Sequence, residues 1–455
     1  MEAEIIGTGK RKWLYPVIPK GPYYQYRSWL SYIYLIFFFS GPFIRIGGQP
    51  LLLLNFPERK FVLVGQVFWP QDIFLFMMAS LVFIVCIVFF TLAFGRIFCG
   101  WICPQTIFME MVFRKIEIWI EGDSHQRKKM DQGPWTAEKI RKKTLKNILF
   151  LLVSFLIANT FLAYIIGSEA LIQIVTEPVR LHIAGLASIS AFTLVFFAVY
   201  SQVREFVCTL ICPYGRLQGV LTDKDTLMVA YNDFRGEPRG HLIKDPVKAA
   251  GQGDCVDCGL CVAVCPTGID IRKGTQLECI NCTACIDACD EVMVKIHKPK
   301  NLIGFYSENL LHNHQKPRFT PKMMGYSGVI LILISVLSYF ILSRSILDIT
   351  IMRYGGLLYQ EMPGGKISNL YNAEIINKSK TTQEINLVPD NPAFTVKYIQ
   401  APGSLAAGKS VKTVFFIIAP GSKIHDTKTD IHLSLMGNHK LVQKIRTNFL
   451  GPMND

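Results

Sequence analysis

The chain has 455 residues, 50% of them hydrophobic, a formal net charge of +14 and a mean hydropathy of +0.30. So apolar a chain is not an ordinary soluble protein, because too little polar surface remains to cover its core. The basic excess points to a nucleic-acid partner only if topology does not account for it.

Residues 1–28 carry five Lys/Arg. Apolar runs follow at 29–46, 72–94, 147–167, 182–203 and 325–343. About 20 apolar residues cross a bilayer as a helix, so the pattern predicts five transmembrane helices surrounded by membrane lipid. The first run starts late and lacks a small-residue cleavage site, so no cleavable signal is expected. Segment 95–145 holds ten Lys/Arg, while 47–70 holds only Arg59 and Lys60, and 169–180 only Arg180. Lys and Arg gather on the cytoplasmic side. The N-terminal segment 1–28, the loop 95–145 and the region 204–323 are therefore expected in the cytoplasm, and 344–455 in the periplasm. With the charge explained this way, no nucleic-acid partner is inferred.

After the second run comes "FCGWICPQ", with Cys99 and Cys103; after the fourth comes "VCTLICPYG", with Cys208 and Cys212. Each pair reads C-x3-C-P, and the pairs are 109 residues apart. Residues 29–203 thus read as four transmembrane helices in two similar hairpins. Proline disfavours helix at the residue before it and suits the first position of a new helix, so Cys103 and Cys212 are expected at helix N-caps. Helix N-termini and nearby Arg96 and Arg204 should make the four thiols thiolate-like. Soft thiolates favour Cu(I). Each pair could bind copper, the four together could hold zinc or a further cluster, or they could shape a turn with Gly100. Cys86 reads as a small buried apolar residue, His182 as an interface residue, and His312 and His314 as parts of a solvated loop.

All thirteen cysteines precede position 290. Short spacings on the reducing side point to metal ligands rather than disulfides. "CVDCGLCVAVCP" supplies Cys255, Cys258, Cys261 and Cys265, and "CINCTACIDACD" supplies Cys279, Cys282, Cys285 and Cys289, each 24 residues after its counterpart. C-x2-C-x2-C-x3-C is the bacterial ferredoxin run, in which the fourth cysteine ligates the other cluster. Cys255, Cys258, Cys261 and Cys289 are assigned to one 4Fe-4S cluster, and Cys279, Cys282, Cys285 and Cys265 to a second. Zinc sites are built from pairs of C-x2-C knuckles rather than triplets. Asp290 stands where the first run has Pro266, and its charge should lower the potential of the first cluster. The ferredoxin insert is placed at about 250–297, and a fifth helix at 324–343 leads to the tail.

The tail, 344–455, alternates β-rich segments such as "FTVKYIQA" and "VKTVFFIIA" with Gly, Pro and Asn, the pattern of a small immunoglobulin-like β-sandwich. No Gly-rich fingerprint follows a predicted strand, so no NAD or flavin site is expected. Ferredoxin clusters pass single electrons and accept no hydride, so an unidentified cytoplasmic carrier must supply them.

"GRIFCGWICPQT", "DKDTLMVAYNDFRGEPRG", "GDCVDCGLCVAVCPTGIDIRKGTQLECINCTACIDACDEVM" and the β-rich tail resemble the cytochrome c oxidase accessory proteins of the FixG/CcoG/RdxA type. The segment "ITIMRYGGLLYQ" fits that pattern only loosely. The resemblance implies a multi-pass protein of the bacterial inner membrane that acts in assembly of cbb3-type cytochrome oxidase and reduces Cu(II) to Cu(I). The oxidase and copper-transport or chaperone proteins would be its partners, and Cys99, Cys103, Cys208 and Cys212 its copper-handling thiols. A quinol-linked electron carrier and a non-enzymatic assembly scaffold are the alternatives.

Overall fold

The computed structural model describes residues 13–56, 60–63, 65–69, 72–241, 251–313, 315, 318–355, 358–379, 381–424 and 426–452; His314 lies outside them. The chain forms two compact units, Met1–Pro42 with Met77–Ser335, and Phe43–Phe76 with Val336–Asp455.

Among the described residues, four helices are long and apolar enough to cross a membrane: Ile73–Phe94, Ala137–Ile166, Ile183–Val203 and Pro321–Leu342. They correspond to the second to fifth apolar runs. Most of their apolar side chains point outward, Leu331, Ile332 and Leu342 among them, as lipid-facing helices require. The first run departs from the expected span at 29–46. Its helix occupies Pro22–Ser40, and residues 45–46 already pair with 49–50 in a short hairpin. Its opening turns, "PYYQYRS", are polar, and Arg27 and Ser31 are buried. This helix is not among the four.

The larger unit packs Ala137–Ile166 along Ile183–Ala198 and closes the seam with Phe108, Phe113, Phe150, Ile157 and Tyr200. Phe113 stacks on Tyr200 with ring centroids 4.4 Å apart. Below this seam lies a buried charge cluster. Glu117 accepts hydrogen bonds from Arg204 at 3.0 and 2.8 Å and from Arg127 at 3.1 Å, with Lys146 at 3.6 Å. Burial alone would raise the Glu117 carboxyl, but Arg204 and then Lys146 and Arg114 hold it well below the usual carboxylate range.

Strands Met228–Tyr231 and Ile303–Tyr306 pair antiparallel and bracket the cysteine-rich insert. Within it lie the helices Leu260–Ala263 and Ala284–Lys295.

The smaller unit is a β-sandwich. One sheet orders Thr395–Gln400, Ser410–Pro420, Lys366–Asn377 and Leu347–Arg353, and the other Ser404–Leu405, Gln383–Pro389, Lys428–Gly437 and Lys440–Leu450, all antiparallel. Their inner faces alternate and share one core that includes Tyr371, Phe415, Leu433 and Phe449. The loop expected at 47–70 is a structured part of this unit: Leu52–Asn55, Lys60–Leu63 and Gln66–Phe68 form a three-stranded sheet. Asp72 joins it to the sandwich by pairing with Arg344 and, at 2.7 Å, with buried Lys378.

Glu117→Ala would strand two buried guanidinium groups, and removing one partner of such a cluster costs about 3–5 kcal/mol. Thermal unfolding of the detergent-purified protein should show that loss. Because the folded-state carboxyl titrates below its unfolded value of about 4.5, its stabilisation is full above that pH and drains away as pH falls below it. Glu117→Gln should lose that part of the acid sensitivity.

Candidate metal centre

The two cysteine runs repeat in backbone as well as in spacing. Asp257 and Asn281, between the first and second cysteines of their runs, have φ of 50° and 52°; Gly259 and Thr283, after the second, have 68° and 63°. Left-handed backbone at these positions curls each loop around its own centre. Gly adopts it freely, whereas β-branched Thr283 does so under strain. Thr283 is buried, and its hydroxyl donates to the Cys282 carbonyl at 2.6 Å.

Each loop closes over a cavity. Cys255, Cys258, Cys261 and Cys289 line one. Cys265, Cys279, Cys282 and Cys285 line the other, with Cys261 on the border between them. The fourth cysteine of each run therefore crosses to the other loop. No three His, Cys, Asp or Glu side chains among the described residues converge closely enough for a single ion. Thiols spaced around a void suit a polynuclear core with one thiolate per iron, so these residues could hold two 4Fe-4S clusters. Burial pushes the free thiols up, Cys261 and Cys282 to about 11 and Cys279 and Cys289 to about 12. Such sites disfavour bare thiolates and favour thiolates neutralised by bound iron.

The second cysteine set is seated against the first C-x3-C-P motif. Cys99 packs with Val264, Ile280 and Cys282. Four side chains tie the contact down. Arg27 donates to the Cys282 carbonyl at 3.0 Å, Trp101 to the Asn281 carbonyl at 3.2 Å, Arg96 to the Leu277 carbonyl at 2.6 Å, and the Asn281 amide to the Phe94 carbonyl at 3.1 Å. None of these four was singled out from sequence for this role. Asn281 alone left a trace, as an αL-tolerant residue inside the second run.

The C-x3-C-P turns are built as their prolines dictate. Cys103 and Cys212 are both N-caps followed by Pro at the first helical position, with ψ of 126° and 116°. Each thiol of one pair lies within electrostatic reach of both thiols of the other, so the two motifs face one region without three of their thiols meeting closely enough to share one ion. The expected thiolate character does not follow for three of the residues. Burial raises Cys99 to about 11, Cys208 to about 12 and Cys103 above its ordinary value, outweighing Arg96 and the backbone N–H groups of Gln105 and Thr106. Arg96 also donates to the Cys208 carbonyl at 3.1 Å and so serves both pairs. Arg204 is committed to Glu117 instead.

A third cavity joins the two regions. Cys208, Met109, Glu110 and Glu205 line it together with Pro266, Thr267 and Ile280. Pro266 and Thr267 follow Cys265 directly, and Ile280 sits between Cys279 and Cys282. Cys86, His182 and His312 stand apart. Cys86 is half-buried in its helix, His182 pairs with Glu177 at 2.7 Å, and His312 packs edge-on to Phe234.

The crossed sets have a direct consequence. Cys289→Ser should remove the centre framed by Cys255, Cys258 and Cys261, and Cys265→Ser the one framed by Cys279, Cys282 and Cys285. Each anaerobically purified variant should return about half the native iron, because one of two clusters is lost. A variant that keeps all its iron contradicts the crossed arrangement.

Comparison with known proteins agrees with this architecture. A family model described as a 4Fe-4S dicluster domain matches residues 203–308, one described as a 4Fe-4S binding domain matches 76–123, and one described as an Ig-like fold at the C-terminus of FixG matches 337–452. The chain is 35% identical over 398 residues to Protein RdxB of Cereibacter sphaeroides, covering 82% of this chain and 81% of that one. It is 31% identical over 437 residues to the nitrogen fixation protein FixG of Rhizobium meliloti, covering 85% and 81%. Ferredoxin-type protein NapH of Escherichia coli is 27% identical over 199 residues, 40% of this chain and 63% of that one. The crystal structure of a FixG-related protein from Vibrio parahaemolyticus is 18% identical with a TM-score of 0.22, over 24% of this chain and 100% of that chain. With its apolar helices, cysteine quartets and β-rich C-terminal unit, the chain belongs to the FixG/RdxA/RdxB family of membrane iron–sulfur electron-transfer proteins.

Proposed function

We propose that the chain reduces Cu(II) to Cu(I) at the C-x3-C-P thiols, in the service of copper-centre maturation in a cbb3-type cytochrome oxidase. The observation that carries this reading is the cavity lined at once by Cys208 and by the segments flanking Cys265, Cys279 and Cys282. In this reading Cys255, Cys258, Cys261 and Cys289 hold one 4Fe-4S cluster, and Cys279, Cys282, Cys285 and Cys265 the other. When bound, such clusters exchange electrons one at a time, the unit that Cu(II) reduction consumes.

The residues around the cavity suit the product of that change. Cys208 and the Met109 thioether present soft sulfur, which suits Cu(I), whereas the carboxylates of the wall are engaged, Glu110 by Arg114 and Glu205 by Arg204. The cavity therefore favours the reduced ion over the oxidised one. Cys99 and Cys103 stand within electrostatic reach of Cys208 and, with Cys212, can retain the product. The high proton affinity of buried Cys99, Cys103 and Cys208 means that copper binding must displace protons, which favours uptake as pH rises.

Five membrane crossings, the four long apolar helices and the helix Pro22–Ser40 as the first, with the N-terminus and the ferredoxin insert in the cytoplasm and the sandwich in the periplasm, complete the reading. The Lys/Arg asymmetry of the loops supports it. Copper-transport or chaperone proteins would deliver and remove the ion, and the sandwich would face the oxidase.

Replacing Cys99 and Cys103 by Ala, or Cys208 by Ser, should abolish cupric reduction measured with a Cu(I)-specific chelator, while the visible absorbance of the clusters persists. Met109→Leu should leave electron uptake intact and weaken Cu(I) retention roughly tenfold, the size of one lost soft contact of about 1.4 kcal/mol. Unchanged copper reduction in the cysteine variants removes the motif from the mechanism.

A further inference from the structure

Beside the first cysteine set opens a cavity of about 700 Å³, within the usual range of small-molecule sites, about 300–1,000 Å³. Tyr231 and Arg272 line both this cavity and the void framed by Cys255, Cys258, Cys261 and Cys289. Whatever occupies it is separated from the first set by a single layer of side chains.

Asp223, paired with Lys322, and the Lys224–Glu308 pair line part of the wall, and the rest of the lining has three chemical parts. Tyr231, Tyr306 and His312 offer aromatic surface. Lys273 is an exposed cation with no carboxylate partner among the described residues, followed by Gly274 with φ of 89° and by Thr275, also in the wall. Asp233 contributes a buried carboxylate oxygen, Oδ1, that accepts no hydrogen bond. Arg272 is not free to add to these, because Asp270 and Asp257 hold its guanidinium. An unpaired cation beside aromatic walls suits a planar aromatic ring that carries a phosphate.

Redox chemistry narrows the guest further. The neighbouring cysteine set is built for a centre that takes single electrons. Reduced nicotinamides give up a hydride pair, whereas reduced flavins release electrons singly through a semiquinone. We propose that this cavity binds a reduced flavin nucleotide as the electron donor of the chain. Oxidation of one dihydroflavin releases two electrons and two protons. The protons leave to solvent at the cavity mouth, and the two electrons reduce two Cu(II) to two Cu(I), a stoichiometry that rests on the copper reading above. The absence of a Gly-rich fingerprint does not weigh against the site. Its walls come from four separate segments, 222–224, 228–233, 272–275 and 306–312, so no contiguous motif could announce it.

Binding can be read apart from turnover. Titrating oxidised FMN with the full-length, cluster-loaded protein in detergent should quench flavin fluorescence saturably. Riboflavin, which lacks the phosphate, should bind about tenfold or more weakly, and FMN should lose a similar factor against Lys273→Ala, the scale of one charge-assisted phosphate contact. The variant should keep native iron content and native copper reduction with dithionite as donor. Absence of saturable quenching by the native protein overturns the proposal, as does equal binding of FMN and riboflavin together with indifference to Lys273→Ala. Failure of dithionite-driven copper reduction in the native protein would instead overturn the copper reading and leave flavin binding standing.

Discussion

A Cβ on Gly100 would stand 2.5 Å from the Ile280 carbonyl oxygen and 2.9 Å from the Cα and N of Cys282. Only a bare α-carbon lets the C-x3-C-P turn lie backbone to backbone on the second ferredoxin loop. That contact draws the loop's carbonyls inward, where each must find a donor or bear the cost of an unsatisfied polar group. Arg96, Trp101 and Arg27 provide the donors at Leu277, Asn281 and Cys282. A ferredoxin loop that would otherwise face water is thereby made part of the helical unit, and Cys99 comes to pack against Cys282.

The same seam explains two features that have no local cause. The polar start of the helix Pro22–Ser40 reads poorly as a membrane span because it serves the insert: the Tyr23 and Tyr24 N–H groups donate to the Asp287 carboxylate at 3.1 and 2.7 Å, and Arg27 reaches Cys282. The buried charges around Glu117 work likewise. Arg127 donates to the Pro16 carbonyl at 2.9 Å, and the Trp13 ring lies over Arg204 at 5.3 Å. The N-terminal strap is thus pinned beside the C-x3-C-P region by charges that are costly to leave alone.

What could be read from sequence was what short-range geometry controls. The 24-residue repeat fixed both cysteine quartets, because thiols on a tight loop can reach only one centre and the fourth must cross. Proline after Cys103 and Cys212 fixed the N-caps, because its ring restricts both itself and its predecessor. Alternating segments revealed the sandwich. What sequence concealed depended on partners far along the chain. Arg204 precedes its cysteine pair by four residues and Arg96 by three, yet Glu117 captures Arg204. The thiolate expectation counted the charges near the cysteines but not their burial, which dominates. The loop at 47–70 looked like a bare connection because its strands are too short to announce themselves without the sandwich they join. Neither Gly100 nor Asn281 carries any mark of the partner it meets.

The two cysteine sets are alike in backbone and unlike in surroundings. Cys258 of the first is exposed, and Asp290 stands beside its Cys289, oriented by the Asn301 N–H at 2.8 Å. Around the second set Arg27 acts on Cys282, with Glu110 opposing it, and Arg96 acts on Cys279, while Arg272 acts on Cys261 of the first. Negative charge disfavours an added electron and positive charge favours it, more strongly in a buried site than in water. What separates the two sets most plainly is enclosure: the first is open at Cys258, and the second is covered by the C-x3-C-P turn packed against it. A symmetric repeat thus acquires two unlike environments, and the difference is supplied by residues outside the repeat.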